Sequence, residues 1–266
     1  MGGAEEVREI KYLGVILGRR GGLDGHVRER VRKARRVMGA VWGLGERLCG
    51  GDMGMREMLF RQLVRGVLMY GVELWGWKER RDVEAVQVRY WRWVLGLGKE
   101  VPDYLVRSEA GIEKLRVWMT GAVVKAAERV RGLGCALWRG EGEAVWWTRE
   151  AGGENLGNLA GRLGWGREEI ERIWAEGGSV REMMMMRERE ICGQEERGKI
   201  DRGRYMEIYS WISGGGRPKY LEGGLTLKEK RIVARFRCGM EFRGGRYWMT
   251  VEDRSCRLCG AEEETV

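Results

Sequence analysis

The chain has 266 residues, 43% of them hydrophobic, and a formal net charge of +9. That supplies enough apolar material for one large domain or two small ones. No apolar run approaches the length of a membrane span, and six scattered cysteines do not form a secreted disulfide scaffold, so an intracellular setting, cytoplasmic or nuclear, is expected and a membrane partner is not.

Three Phe and two Pro stand against 13 Trp and 14 Met, a balance that favours packed helices over a β-sandwich. The 44 glycines pull the other way, because each interior Gly costs a helix roughly 1 kcal/mol relative to Ala. The expected fold class is mainly α, in short, interrupted helices, with a short β-strand or hairpin at the N-terminus.

In chain order, Ile10 to Leu17 is an apolar run with β-branched members, followed by the glycine-rich stretch Gly18 to Gly25, which reads as a strand or a hairpin. Val27, Val31, Ala34, Met38 and Val41 then fall at helical spacing, with Arg28, Arg32, Lys33, Arg35 and Arg36 on the remaining surface. This predicts an amphipathic basic helix. Met55, Leu59, Leu63 and Val67 mark a second helix. A third begins near Asp82, a candidate N-cap, with Val83, Val86, Tyr90, Trp91 and Val94 inward.

Pro102 closes that unit, and Trp118 to Arg131 repeats the helical pattern until Gly132 and Gly134 stop it. Between Arg139 and Gly178 the periodicity weakens to a linker with short helices. Ser179-Val-Arg-Glu182 and Thr226-Leu-Lys-Glu229 match the capping box and start later helices, and Gly214-Gly-Gly-Arg-Pro218 between them is a loop signal.

The positive charge is local. From Arg19 to Arg65 twelve Lys or Arg face five Asp or Glu, a net of +7 in 47 residues. Such a field attracts polyanions and makes their binding fall with salt. Of the 49 basic residues 39 are Arg, the side chain suited to bidentate phosphate contact, although codon bias explains the same count. One basic helix alone is more simply a solvated face; the regional excess favours a nucleic-acid surface. Trp42, Trp75, Trp77, Trp91 and Trp93 are candidates for base stacking, but aromatics at helical spacing are usually core, and Trp91 is assigned there on period alone. The run Met183 to Met186 reads as packing.

Near the far end, Cys256-Arg-Leu-Cys259-Gly260 has the spacing that presents two thiolates to one zinc ion. Only two of about four ligands are in place, and His26, the single histidine, is distant in sequence. A chance pair of thiols ranks second and a redox pair third, since no βαβ pattern frames it. The six aspartates are dispersed, one histidine assembles no triad, and no phosphate-binding glycine motif is framed by a strand and a helix. No complete catalytic site is therefore expected.

Three segments in order carry a family resemblance: Lys11-Tyr-Leu-Gly-Val15, then Leu68-Met-Tyr-Gly-Val-Glu-Leu-Trp-Gly76, then Cys256-x-x-Cys259 with Glu-Glu-Glu-Thr-Val266. Together they resemble the reverse transcriptases of non-LTR, LINE-like retrotransposons. The first is similar to the strand motif that follows the catalytic palm, the second to a thumb helix, and the third to the opening of a terminal CCHC zinc knuckle. The resemblance covers most of the chain and rests on order and spacing alone from Arg139 to Gly214.

It implies a palm-remnant strand at 1–20, a helical thumb-like domain at 21–135, a helical linker region at 136–250 and the start of a zinc knuckle at 251–266. Lys11, Arg28, Arg32, Lys33, Arg35, Arg36, Arg61 and Arg65 would contact RNA, an RNA–DNA hybrid or DNA, and Tyr12, Leu13 and Gly14 would be similar to a primer grip. Cys256 and Cys259 would be half of a zinc site. The family's polymerase aspartates would precede the chain, and the knuckle's remaining His and Cys would follow Val266. The expected molecule is thus a fragment without polymerase activity. It takes no small-molecule substrate, and no cofactor unless the missing zinc ligands are restored. The alternative is a free-standing basic helical module that binds an acidic protein partner.

Overall fold

The computed structural model describes residues 9–18, 22–132, 156–203, 207–212 and 216–240. Two antiparallel strands, β1 (Glu9–Tyr12) and β2 (Val15–Gly18), pair Tyr12 with Val15 and Glu9 with Gly18. Among the described residues the other regular elements are helical: α1 (Asp24–Leu48), α2 (Met53–Leu59), a π-helical turn (Phe60–Val64), α3 (Arg65–Leu68), α4 (Val72–Trp75), α5 (Arg81–Leu95), α6 (Asp103–Ala110) and α7 (Leu115–Gly132). Further along the chain are α8 (Leu156–Arg162), α9 (Arg167–Ala175), α10 (Val180–Asp201), α11 (Glu207–Ile212), α12 (Lys219–Glu222) and α13 (Leu227–Arg237). The protein is mainly α with an N-terminal hairpin. Among the described residues, no helix is long and apolar enough to cross a membrane.

The residues fall into two compact units, each drawn from separate stretches: Met1–Arg36, Arg65–Ala85 and Lys114–Cys192 in the first, Val37–Val64, Val86–Glu113 and Gly193–Val266 in the second. In the first, a core of Trp77, Val123, Val124 and Ala127 packs with Leu156, Leu159, Leu163, Ile170, Val180 and Met184. Each such aliphatic side chain, fully buried, contributes about 1.5–3 kcal/mol. Glu84, itself buried, caps α7 from a distance by accepting from the Leu115 and Arg116 main-chain N–H groups at 3.1 and 2.8 Å. Glu188 is fully buried and accepts from Arg116, from the Thr120 hydroxyl at 3.0 Å and from Arg162 at 2.9 Å.

The second unit is organised around aromatic and charged groups. Tyr90 packs against Phe60, with ring centroids 5.0 Å apart, and edge-on against Trp91. Its hydroxyl donates to the Arg56 carbonyl at 2.7 Å. The Arg56 side chain is buried and donates to the carbonyls of Gly45, in the last turn of α1, and Gly50, just past its end. Glu109 gathers the Tyr209 and Tyr220 hydroxyls and the Arg237 guanidinium.

Two expectations need correction. Helices are not uniformly short: α1 runs 25 residues and α10 runs 22, with interior glycines in both. Packing overrides propensity, and some glycines are there for space. A Cβ on Gly45 would come within 3.0 Å of Arg56 Nη1, and one on Gly121 would collide with Met185. The second correction concerns α2 and α3, where Met55 and Leu63 face solvent and the buried residues are Met53, Arg56, Phe60, Val64 and Leu68. A four-residue repeat drifts about 40° per step around an ideal α-helix, and the wider π turn keeps Phe60, Val64 and Leu68 in line.

Of the five tryptophans whose helical spacing reads as core, three are. Trp75, Trp77 and Trp91 are buried, while Trp42 and Trp93 form an edge-on pair at 5.7 Å with Arg231 over one ring and Arg89 over the other.

Candidate nucleic-acid interface

The candidate site lies in the first unit and begins with the hairpin. Its two-residue turn, Leu13-Gly14, has positive φ at both positions, 45° and 80°, the geometry that matches the twist of the flanking strands. Gly14 adopts this freely; Leu13 does so against its side chain, which stays 76% exposed. Tyr70 holds the turn, its hydroxyl donating to the Leu13 carbonyl at 2.7 Å. A Cβ on Gly14 would stand 3.0 Å from that hydroxyl, so glycine is required there by space as well as by φ.

His26, in the first turn of α1, is completely buried beneath β2. The Ile16 main-chain N–H donates to its Nδ1 at 3.3 Å, which leaves the proton on Nε2, and Nε2–H donates to the Tyr70 carbonyl at 3.0 Å. Trp75 Nε1–H donates to the same carbonyl at 3.2 Å. Both ring nitrogens are thus engaged by main chain. Arg30 lies over the Tyr70 ring, its guanidinium 5.2 Å from the centroid. The segments Lys11–Val15 and Leu68–Gly76, read from sequence as a strand motif and a helix, therefore meet at Tyr70. The second segment is not one helix but the end of α3, a turn through Gly71 at φ 72°, and the single helical turn of α4.

Along α1, Val27, Val31, Ala34, Met38 and Val41 are buried as their spacing predicts. Arg28, Arg32, Arg35 and Arg36 are exposed on the outer side as one ridge, since residues three and four apart are neighbours on a helix surface. Arg28, Arg35 and Arg36 make no ion pair among the described residues. Arg32 is bound by Glu29, Nε and Nη2 donating to the two carboxylate oxygens at 2.8 and 2.7 Å, and Lys33, half-buried, lies 3.5 Å from the same carboxylate. The hydrogen bond from Arg32 is the main cause that holds the Glu29 carboxyl down to about 2. At the start of α1, Asp24 is likewise held below the ordinary carboxylate range by its hydrogen bond from Arg80, at 2.6 Å.

The remaining candidates separate. Lys11 is exposed on β1, with Tyr12 and Leu13 beside it. Arg65 is half-buried with its guanidinium 5.0 Å from the Trp118 ring centroid, and Arg61 belongs to the second unit, where Glu57 lies 3.8 Å away. Cys256 and Cys259 lie outside the described residues. Arg30 was not singled out from sequence, yet its place three residues after Val27 and four after His26 was the signal that it faces inward. Comparison of the chain with protein-family models, with curated proteins and with solved structures finds no match.

Proposed function

We propose that this chain binds nucleic acid, as a thumb-and-linker region similar to that of non-LTR retrotransposon reverse transcriptases, holding RNA, an RNA–DNA hybrid or DNA through arginine–phosphate contacts. The observation that carries the reading is the exposed ridge Arg28, Arg32, Arg35 and Arg36, three of whose members have no ion-pair partner among the described residues. It stands on the unit in which the two N-terminal segments of the resemblance meet. A ridge of guanidinia offers positioning contacts to a phosphate backbone and no base-edge readout, so the expected binding is weakly selective for sequence and falls with salt.

Replacing Arg28, Arg32, Arg35 and Arg36 together with Gln should leave circular dichroism unchanged. It should weaken binding to a labelled RNA–DNA hybrid and reduce the slope of log K against log salt by up to about four, near 0.9 for each lost phosphate contact. Unchanged binding returns the helix to a solvated face. Saturable binding of an acidic protein that added RNA does not displace would favour the free-standing interaction module instead.

A further inference from the structure

Within the basic ridge one arginine differs from the rest. Arg32 presents the Nε–Nη2 edge of its guanidinium to Glu29 and donates from both nitrogens, a two-point grip of a carboxylate. That edge is one of the two with which an arginine grips a phosphate, and while Glu29 holds it, it cannot serve a second anion. The Glu29 oxygen that accepts from Nη2 also lies 3.5 Å from Lys33 Nζ, so one carboxylate draws on two of the cations assigned to the surface.

We infer that Glu29 is an internal competitor for phosphate on this surface, holding Arg32 and Lys33 in reserve so that the wild-type ridge grips through Arg28, Arg35 and Arg36 until a ligand displaces the carboxylate. The inference rests on the nucleic-acid reading of the ridge and sets its affinity and salt dependence. The carboxyl is held down to about 2 and stays ionised throughout the physiological range, so mild acidification does not release the fork; displacement by a ligand phosphate or removal of the charge does.

The test compares Glu29→Gln with Glu73→Gln, which removes one exposed negative charge from α4 and serves as the control for net charge. Binding of a short labelled RNA–DNA hybrid is measured by fluorescence anisotropy across a salt series. Glu29→Gln is expected to bind about two- to fivefold tighter than Glu73→Gln at low salt, the range that surface ion pairs of this kind span. Its salt slope should be steeper by about one to two, for one or two added phosphate contacts. Arg32→Gln should weaken binding more in the Glu29→Gln background than in the wild type, the sign of coupling that competition requires. Equal affinities and slopes for Glu29→Gln and Glu73→Gln would overturn this inference and leave the ridge reading standing. Absence of wild-type binding at every salt concentration would overturn the ridge reading, and the competitor role with it.

Discussion

Arg32 with Glu29 and Arg237 with Glu109 are the same two side chains at nearly the same separation, 2.7 and 2.8 Å, yet they serve opposite ends. The first pair lies on the outside of α1, and water competes for both partners. In the second, Glu109 has no exposed surface and also accepts from Tyr209 at 2.9 Å and Tyr220 at 2.5 Å. Burial, reinforced by the nearby carboxylate, pushes the pKa of both tyrosines up, so they stay protonated as donors. The difference shows that arginine content does not measure the charge a surface offers. Arg56, Arg107, Arg116 and Arg237 are spent inside, on carbonyls and carboxylates, and only where the neighbouring elements leave the guanidinium in water is it available to a polyanion.

The largest effect is expected where the contrast is sharpest. Glu109→Leu fills the same space with an apolar group but takes their carboxylate acceptor from Arg237 Nε, the buried Tyr209 hydroxyl and the half-buried Tyr220 hydroxyl. Breaking a buried pair from one side costs about 3–5 kcal/mol. The urea midpoint should fall accordingly. A loss below about 1 kcal/mol would mean that the cluster is solvated and that the two pairs are alike after all.

His26 offers an intermediate case, a buried polar group directly beneath the exposed hairpin. His26→Phe keeps the ring but removes the acceptor of the Ile16 N–H and a donor to the Tyr70 carbonyl. One unsatisfied buried group costs about 1–3 kcal/mol. The loss should be read locally, as faster hydrogen exchange at the Ile16 amide. Protection of that amide equal to the wild type would show that the imidazole is not what holds β2 against α1.

Local periodicity was legible from the residues themselves. The buried stripe of α1 and the inward residues of α5 follow from spacing; the run Ile10 to Leu17 announced extended backbone, but not its turn at Leu13-Gly14, because a leucine at positive φ carries no turn signal. The stripe of α2 and α3 was missed because its second member is Arg56, while the parallel stripe Met55, Leu59, Leu63 and Val67 is wholly apolar. Two stripes with one period cannot be told apart by period; the partner that Arg56 finds at the end of α1 decides. The remaining site geometry depends on distant pairs. Tyr70 and Leu13 are 57 residues apart and Tyr209 and Glu109 are 100 apart, separations at which no local pattern marks a contact. The ridge was visible from sequence because a helix brings its members together unaided.

The smallest effect belongs to an exposed device that the sequence did announce. Thr226 caps α13: its hydroxyl accepts from the Glu229 main-chain N–H at 3.4 Å, while the Glu229 carboxylate accepts in return from the Thr226 main-chain N–H at 2.8 Å. Thr226→Ala should cost about 1 kcal/mol, the usual value of an N-cap, against the 3–5 kcal/mol of the buried cluster. The return bond adds a dependence on pH whose direction is fixed. The main-chain hydrogen bond from Thr226 is the chief cause that lowers the Glu229 pKa from its ordinary 4.5. A carboxylate depressed in the folded state stabilises fully above its unfolded pKa and loses that contribution as pH falls through the folded one. The difference in stability between wild type and Glu229→Gln should therefore be constant from neutral pH to about 5 and shrink below it. A difference that grew on acidification would mean that the carboxylate is not the acceptor, and the return half of the box would be lost from α13.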